Sequence, residues 1–282
     1  MDLYTETKSM LNKYNIKANK SLGQNFLIND DILEKIINSA EITKEDTVIE
    51  IGPGLGTLTN KLLENAKKVI AVEVDFKMAQ LLKDRFKNSN NLQIINEDIL
   101  KLDLKKIIAG KTKVVANLPY YITTPIIMKL LEEKLELESI TVMVQKEVAQ
   151  RIVEIPGGKN CGAITYAIHY YTKPEHIIDV SKDMFLPSPK VDSAVIKLNI
   201  LKNVKKEKLL FKIIKYSFSQ RRKTLLNALT NSGILQKQET VKMLQELGIE
   251  ENRRGETLTL DEFKTIANYI EERGRRWQKK YM

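Results

Sequence analysis

The chain has 282 residues, 43% of them hydrophobic, and a net charge of +10; this length suits one large domain, or a large domain with a small one. The single cysteine excludes an internal disulfide, and with only two histidines beside it the chain has too few ligands for a zinc-type site. No apolar run approaches the ~20 residues that cross a bilayer, and the N-terminus lacks the apolar core of a signal peptide, so we expect a cytoplasmic protein with no membrane partner and no metal.

Short apolar runs alternate with helical patterns from Thr47 to Gln145. The runs are rich in Val and Ile and nearly free of charge, as in strands that are buried on both faces of a parallel sheet. The segments between them have apolar residues at helical spacing. This alternation predicts an α/β fold with a doubly wound sheet. The predicted strands are Thr47–Ile51, Val69–Val74, Leu92–Ile95, Lys113–Ala116 and Ile140–Val144.

The pattern changes after Gly162. Three further runs with short links predict an antiparallel addition at the edge of the sheet: Ile164–Tyr171, Ile177–Val180 and Ser193–Asn199. From Lys202 onward helical patterns replace strand patterns, which predicts a small helical domain. The predicted helices are Glu207–Ser217, Lys223–Leu229, Glu239–Leu247 and Leu260–Arg273.

The positive charge is concentrated in this last part of the chain. Residues 202–282 contain 19 basic and 10 acidic side chains, a net charge of +9, whereas residues 1–201 have a net charge of +1. A solvated helical surface explains such a segment, and so does attraction to a nucleic acid, whose phosphates release counterions when they are neutralised. We therefore predict a boundary near residue 200, between a domain of residues 1–201 that binds a ligand and a basic helical domain of residues 202–282. The charge of the second domain suggests a nucleic-acid partner but does not prove one.

Ligands of open α/β sheets bind where the strands end and the helices begin. The first predicted strand leads into Gly52, Gly54 and Gly56, whose G-x-G-x-G spacing differs from that of dinucleotide enzymes. These glycines form either a tight structural turn or a loop that a ligand approaches closely. Glu73 follows at the end of the second strand, where a carboxylate can accept hydrogen bonds from both ribose hydroxyls of an adenosine-containing cofactor.

The third and fourth strands end in polar residues. Asp98 either caps a following helix or accepts a hydrogen bond from the cofactor's adenine amine. Asn117-Leu118-Pro119-Tyr120 follows the fourth strand. An Asn side-chain oxygen and a backbone carbonyl of Leu118 or Pro119 can accept both N–H bonds of an adenine amine and aim its lone pair at an electrophile, and Tyr120 can stack on the base.

These residues resemble a known family. The Asn-Leu-Pro-Tyr motif is similar to the catalytic motif of amino-methyltransferases that use S-adenosylmethionine, and the wider set resembles the KsgA/RsmA family, the small-subunit ribosomal RNA adenine dimethyltransferases. The resemblance spans about residue 15 to at least residue 230. It is carried by Ser21–Leu27, Glu50–Gly56, Glu73, Asp98, Asn117–Tyr120, Phe185–Ser193 and Ser219–Lys223.

The resemblance implies a Rossmann-like seven-stranded methyltransferase sheet and a role for each matching residue. Asn25 and Leu27 would contact the cofactor from an N-terminal segment that covers the site and the RNA. Gly52 would approach the methionine part of the cofactor, and Gly54 and Gly56 would shape the loop. Asn117 would lie between the cofactor and the target base. Phe185 would stack on the flipped adenine; its alternative role is to anchor a Pro-rich turn. The basic residues Arg221, Arg222 and Lys223 would contact the RNA.

The predicted reaction is transfer of methyl groups from S-adenosyl-L-methionine to the amines of two adjacent adenines of 16S ribosomal RNA. The partner of the enzyme would be the immature small ribosomal subunit, and the enzyme would act as a monomer. One alternative is the antibiotic-resistance type of 23S ribosomal RNA adenine methyltransferase, although Leu118 and the run Lys190–Ser193 favour the small-subunit enzyme. Another is an assembly factor for the small subunit that acts mainly by binding.

Overall fold

The computed structural model describes residues 2–19, 22–108, 110–133, 135–202, 204, 207–219 and 222–281, with side chains described as far as residue 273. The helices are α1 Leu3–Lys13, α2 Asp30–Ala40, α3 Thr57–Asn65, α4 Phe76–Arg85, α5 Thr123–Glu132, α6 Lys146–Val153, α7 Ala163–Tyr171, α8 Lys208–Ser219, α9 Leu225–Asn231, α10 Lys237–Glu246 and α11 Leu260–Tyr281. The strands are β1 Phe26–Leu27, β2 Thr47–Ile51, β3 Lys68–Val72, β4 Leu92–Ile95, β5 Thr112–Asn117, β6 Leu137–Gln145, β7 Thr172–Val180, β8 Phe185–Leu186 and β9 Ser193–Ile200.

The described residues form a seven-stranded sheet in the order β4-β3-β2-β5-β6-β9-β7. Strands β2 to β6 pair in parallel, and β9 pairs antiparallel with β6. The central strands are almost fully buried, as is typical of parallel strands. The predicted α/β class, the seven-stranded sheet and the helical C-terminal region are confirmed. Of the three strands predicted for the antiparallel addition, two are present. Strands β1 and β8 form a separate two-stranded antiparallel sheet.

One predicted strand is wrong. The run Ile164–Tyr171 lies in helix α7, not in a strand. Its β-branched and aromatic residues are typical of strands, but most of the helix is buried, so neither alternation nor an amphipathic stripe marks it. The Thr165 hydroxyl fixes the beginning of the helix, because it accepts a hydrogen bond from the Gly162 N–H and donates one to the Arg151 carbonyl.

The contacts divide the chain into two units. The first consists of Met1–Ala149 with Lys173–Ile200, and the second of Gln150–Thr172 with Leu201–Met282. The segment Gln150–Thr172 thus groups with the helical C-terminal residues, whereas the predicted boundary placed it in the first domain. In the second unit Tyr166 of α7 is fully buried, and its hydroxyl donates to the Leu258 carbonyl. The roles assigned to the two domains stay predictions.

Gly56, which precedes α3, illustrates how tightly the first unit is packed. Its φ is +81°, and an added Cβ would lie 2.6 Å from Phe86 and 2.8 Å from Leu82. We expect Gly56→Ala to combine left-handed strain of about 1–2 kcal/mol with overpacking of about 1–3 kcal/mol. Gly248→Ala is the control, because its φ is +67° but nothing lies within 4 Å. Calorimetric melting should show the larger fall in Tm for Gly56→Ala; equal falls would contradict the packing argument.

Candidate active site

The carboxyl ends of β2, β3 and β5 border a cavity of about 220 Å³ in the first unit. Strands that run in parallel present these ends at one edge of the sheet, so the residues that follow them meet there. The structure brings most of the predicted site residues together at this cavity, and their individual roles stay predictions. The predicted residues that line it are Asn25, Leu27, Gly52, Gly54, Glu73, Asp98, Asn117, Leu118, Pro119 and Tyr120.

The glycine loop exposes backbone to the cavity. Gly52 has a φ of +67°, a conformation that side chains disfavour, and an added Cβ there would meet nothing within 4 Å. Its N–H donates to the Val72 carbonyl, which fixes the loop to β3. Gly54 also has a positive φ, and an added Cβ would approach the Phe26 ring to 3.2 Å. The loop therefore leaves space for a ligand at Gly52 and packs tightly at Gly54.

Glu73 is held rigidly at the end of β3. Its Oε2 accepts from the Gly54 N–H at 3.1 Å and its Oε1 accepts from the Asp75 N–H at 2.9 Å. Each carboxylate oxygen has a second lone pair, so the side chain can still accept two bonds from a ligand. Burial raises the pKa of Glu73, while the two backbone N–H groups oppose that shift.

Asp98 caps a turn with one oxygen, because its Oδ1 accepts from the Leu100 N–H at 2.9 Å. Its Oδ2 has no hydrogen-bond partner within the described part of the chain and is available to a ligand. Among the described residues that line the cavity none is basic, and four are acidic: Glu50, Glu73, Glu97 and Asp98. Such a lining favours a cationic ligand and opposes the pyrophosphate of a dinucleotide.

Asn117 lies at the end of β5 with its amide oriented. Its Nδ2 donates to the Asn25 carbonyl at 3.2 Å, so its Oδ1 is the atom left to accept from a ligand. The Pro119 carbonyl already accepts from the Ile122 N–H and the Thr123 hydroxyl. The sequence left open whether the Leu118 or the Pro119 carbonyl accepts from the adenine amine. The Leu118 carbonyl is therefore the better candidate for this acceptor.

Phe185 does not line the cavity, and the basic residues belong to the second unit. Phe185 is 3% exposed and packs in the hydrophobic core, where it pairs with Leu27 across β1 and β8. This position agrees with the alternative role of anchoring a turn, and the stacking role stays a prediction. Arg222 and Lys223 are exposed in a turn before α9 in the second unit, and Arg221 falls outside the described residues, as does Ser21 of the N-terminal motif.

Gln24, Val74 and Tyr121 are among the cavity residues that were given no role from the sequence. Gln24 Nε2 donates to Asp75 Oδ2 at 3.0 Å and so joins the N-terminal segment to the end of β3. Val74 and Tyr121 line the cavity with side chains that are 52% and 57% exposed. Val74 directly follows Glu73, and Tyr121 directly follows Tyr120. This adjacency to predicted site residues was the one sequence feature that could have indicated a position at the cavity.

Glu50 is a further carboxyl group without a predicted role of its own. It is fully buried on β2, and Thr59 donates a 2.6 Å hydrogen bond to its Oε2. Burial, reinforced by the nearby charge of Glu73, raises the pKa of Glu50 to about 8. The side chain is therefore protonated at neutral pH, which keeps a second negative charge away from Glu73.

The raised pKa of Glu50 predicts a specific pH dependence of stability. Between the ordinary pKa of 4.5 and the folded pKa of about 8, the folded chain binds one more proton than the unfolded chain, so the free energy of unfolding falls as pH rises. Glu50→Gln removes this component and keeps the acceptor for Thr59. We expect the Tm of the variant to rise relative to wild type from pH 5 to pH 8. A difference in Tm between variant and wild type that stays constant from pH 5 to pH 8 would contradict the raised pKa of Glu50.

The comparisons with known proteins agree with this geometry. The family model described as ribosomal RNA adenine dimethylase matches residues 15–272. Relatives named ribosomal RNA small subunit methyltransferase A include one from Clostridioides difficile (strain 630), 47% identical over 276 residues, 95% of this chain and 96% of that protein. Another, from Alkaliphilus oremlandii (strain OhILAs), is 47% identical over 94% of this chain and 96% of that protein.

The chain belongs to the ribosomal RNA adenine dimethylase family.

Two solved structures of related proteins share its fold. A dimethyladenosine transferase from Plasmodium falciparum has a TM-score of 0.79 at 28% identity and covers 88% of this chain and 98% of its own. The 23S rRNA methyltransferase ErmE has a TM-score of 0.68 at 22% identity, over 88% of this chain and all of its own. As a ribosomal RNA adenine dimethylase, the chain is an enzyme that uses S-adenosylmethionine.

The cavity of this ribosomal RNA adenine dimethylase fits that cofactor. The backbone beside Gly52 leaves open space that a Cβ would enter, and Glu73 has lone pairs for a ribose. The carboxylate lining suits a positively charged sulfonium. Within the described part of the chain, no group of His, Cys, Asp and Glu side chains could hold a metal ion, and no helix there could cross a membrane.

Proposed function

We propose that this ribosomal RNA adenine dimethylase methylates two adjacent adenines of 16S ribosomal RNA, giving N6,N6-dimethyladenosines, and that its substrate is the immature small ribosomal subunit. The names of the relatives from C. difficile and A. oremlandii, which specify the small subunit, support this choice over the 23S alternative. We further propose that the enzyme acts as a monomer in the cytoplasm, where ribosomes assemble.

The observation that carries the proposal is the pair of acceptors at the end of β5. An adenine amine is a weak nucleophile because its lone pair is delocalised into the ring. The Asn117 Oδ1 is oriented by the bond from Nδ2 to Asn25, and the Leu118 carbonyl follows it in the chain. Together they can accept both N–H bonds of the amine and favour a pyramidal nitrogen whose lone pair points into the cavity.

The surrounding residues position the methyl donor and the base. S-adenosylmethionine supplies an electrophilic methyl group on a sulfonium. The Glu73 carboxylate would accept from its ribose, Asp98 Oδ2 from its adenine amine, and the backbone at Gly52 would border its methionine part. Tyr120 would stack on the target adenine, which must leave its own stack to reach the cavity.

The test is methylation of isolated ribosomal particles. Purified enzyme and labelled S-adenosylmethionine are incubated with small subunits whose adenines are unmethylated, and separately with large subunits. We expect label in the small subunit alone, and mass spectrometry should identify N6,N6-dimethyladenosine at two neighbouring positions. Label confined to the large subunit would establish the 23S alternative, and absence of label from both would overturn the proposed function.

We also propose that the basic second unit binds the RNA backbone through Arg222 and Lys223. Both side chains are exposed, and each phosphate contact releases about 0.7–0.9 counterions. Replacing both residues by alanine should weaken RNA binding and lower the slope of log Kd against log salt by about 1.4–1.8. Filter binding at several salt concentrations measures both quantities.

Lys105 and Lys106 provide a control with the same change in charge. They are exposed in a one-turn 3-10 helix ahead of β5 and do not line the cavity. Their double alanine variant should keep the salt slope of wild type. An equal reduction of the slope in both double variants would show that net charge, and not local contact, governs binding.

A further inference from the structure

The Tyr120 ring must be held in place if it is to form one face of the pocket for the target base. Tyr120 begins the one-turn 3-10 helix Tyr120–Ile122 that follows Pro119. Its ring is partly buried, lines the cavity, and can rotate about two side-chain torsions. A stacking surface that rotates freely loses entropy when a base binds. A contact that fixes the ring beforehand therefore favours the productive arrangement.

Ser193 provides such a contact from another strand. The Ser193 Oγ lies 2.6 Å from the Tyr120 hydroxyl, and Ser193 is fully buried. Ser193 begins β9 and pairs with Gln145 of β6. Strand β6 also pairs with β5, where Met143 lies opposite Asn117. The hydroxyl that holds the ring and the amide that would hold the amine thus belong to one continuous sheet.

The segment before Ser193 is itself anchored. The Asp192 carbonyl accepts from the Lys146 N–H at 3.0 Å, and Asp192 Oδ1 accepts from the Lys182 N–H at 3.0 Å. The Ser188 hydroxyl donates to the Lys182 carbonyl at 3.1 Å. These bonds restrain the backbone from which the Ser193 side chain projects, so the position of the hydroxyl is set before any substrate binds.

We infer that Ser193 is a positioning residue that acts through Tyr120: its hydroxyl fixes the ring against the sheet so that the target base is held at a constant distance from Asn117. The inference rests on the proposed adenine methylation and deepens it. Ser193 has no predicted contact with the cofactor, so it should affect the rate of methyl transfer and not the binding of S-adenosylmethionine. It should also affect the second methylation, because a loosely held monomethylated base leaves the pocket more readily.

The test is a double-mutant cycle of Ser193→Ala, Tyr120→Phe and the two combined. Each variant removes the same hydrogen bond, so each should lower kcat by about 3- to 10-fold and raise the ratio of monomethyl- to dimethyladenosine. The double variant should show no further loss. The Kd for S-adenosylmethionine, measured by calorimetry, should stay within about twofold of wild type.

Ser139→Ala is the matched control. Ser139 is buried on β6 of the same sheet, and its hydroxyl has no hydrogen-bond partner among the residues that the structure describes. Its variant should keep the kcat and product ratio of wild type. Should Ser193→Ala fail to fold, Tyr120→Phe carries the test alone, because it removes a hydroxyl from a ring that remains.

Three results would overturn the inference: losses that multiply in the double variant, an equal loss in Ser139→Ala, or a Tyr120→Phe variant with the kcat and product ratio of wild type. Wild-type enzyme that fails to methylate small subunits would instead refute the proposed function. The two failures are therefore distinguishable.

Discussion

Asn117→Ala should lower the rate of methyl transfer at least about 100-fold, because loss of one preorganised hydrogen-bond group in an active site costs about 10²–10³ in kcat. The variant loses the Oδ1 that would accept from the adenine amine. It also loses the Nδ2 bond to the Asn25 carbonyl, which joins β5 to the N-terminal segment. Single-turnover methylation of small subunits measures the rate, and filter binding should show an RNA affinity near that of wild type.

Two further variants separate positioning from folding. Asn117→Asp keeps the shape of the side chain but sets a carboxylate against the Asn25 carbonyl, so it should lose most of the activity as well. Asn91→Ala is the control, since the Asn91 amide donates to the Leu63 and Ala66 carbonyls and does not line the cavity. It should lower Tm and keep kcat. Equal losses of methylation and RNA binding in folded Asn117→Ala would identify Asn117 as an RNA anchor instead.

Glu73→Gln should raise the Kd for S-adenosylmethionine by about 10- to 100-fold, because hydrogen bonds to a charged group contribute about 1.5–3 kcal/mol. Both carboxylate oxygens already accept from backbone N–H groups, those of Gly54 and Asp75. The glutamine amide must turn its NH₂ group toward one of these donors, which weakens the loop and removes one acceptor for the ribose. Titration calorimetry measures the Kd.

At saturating cofactor, Glu73→Gln should have the kcat of wild type, because a contact made equally in the bound state and the transition state changes KM alone. Glu97→Gln removes the same charge from the lining of the cavity and should change the Kd by less than about threefold. A comparable rise in both variants would show that the summed charge binds the cofactor. A fall in kcat with an unchanged Kd would contradict a role for Glu73 in cofactor binding.

Much of the site was predictable because it lies at the ends of buried parallel strands. The strands Thr47–Ile51 and Leu92–Ile95 have the bounds predicted from their apolar runs. Once parallel order is assumed, the residues that follow such strands must share one edge. The convergence of Gly52, Glu73 and Asn117 on one cavity therefore required only local patterns and the rule for open α/β sheets.

Helix α7 and the segment Gln150–Thr172 were not predictable in this way. Periodicity reports which face of an element is buried, and it is lost when most of the element is buried. The residues of α7 pack within the second unit, as Tyr166 does against Phe218 and Phe263. Contacts with residues far along the chain decide both the helix and its grouping, and no local pattern encodes them.

The sequence by itself determined the fold class, the family and many of the residues at the cavity, because strand periodicity and short motifs are local properties of the chain. Only the tertiary structure decided which atoms remain free to act. In the structure, the Pro119 carbonyl accepts hydrogen bonds from Ile122 and Thr123. Phe185 is buried in the core, and Ser193 is hydrogen-bonded to Tyr120. Hydrogen bonds and burial between distant residues depend on strand order and register, which composition and spacing leave open.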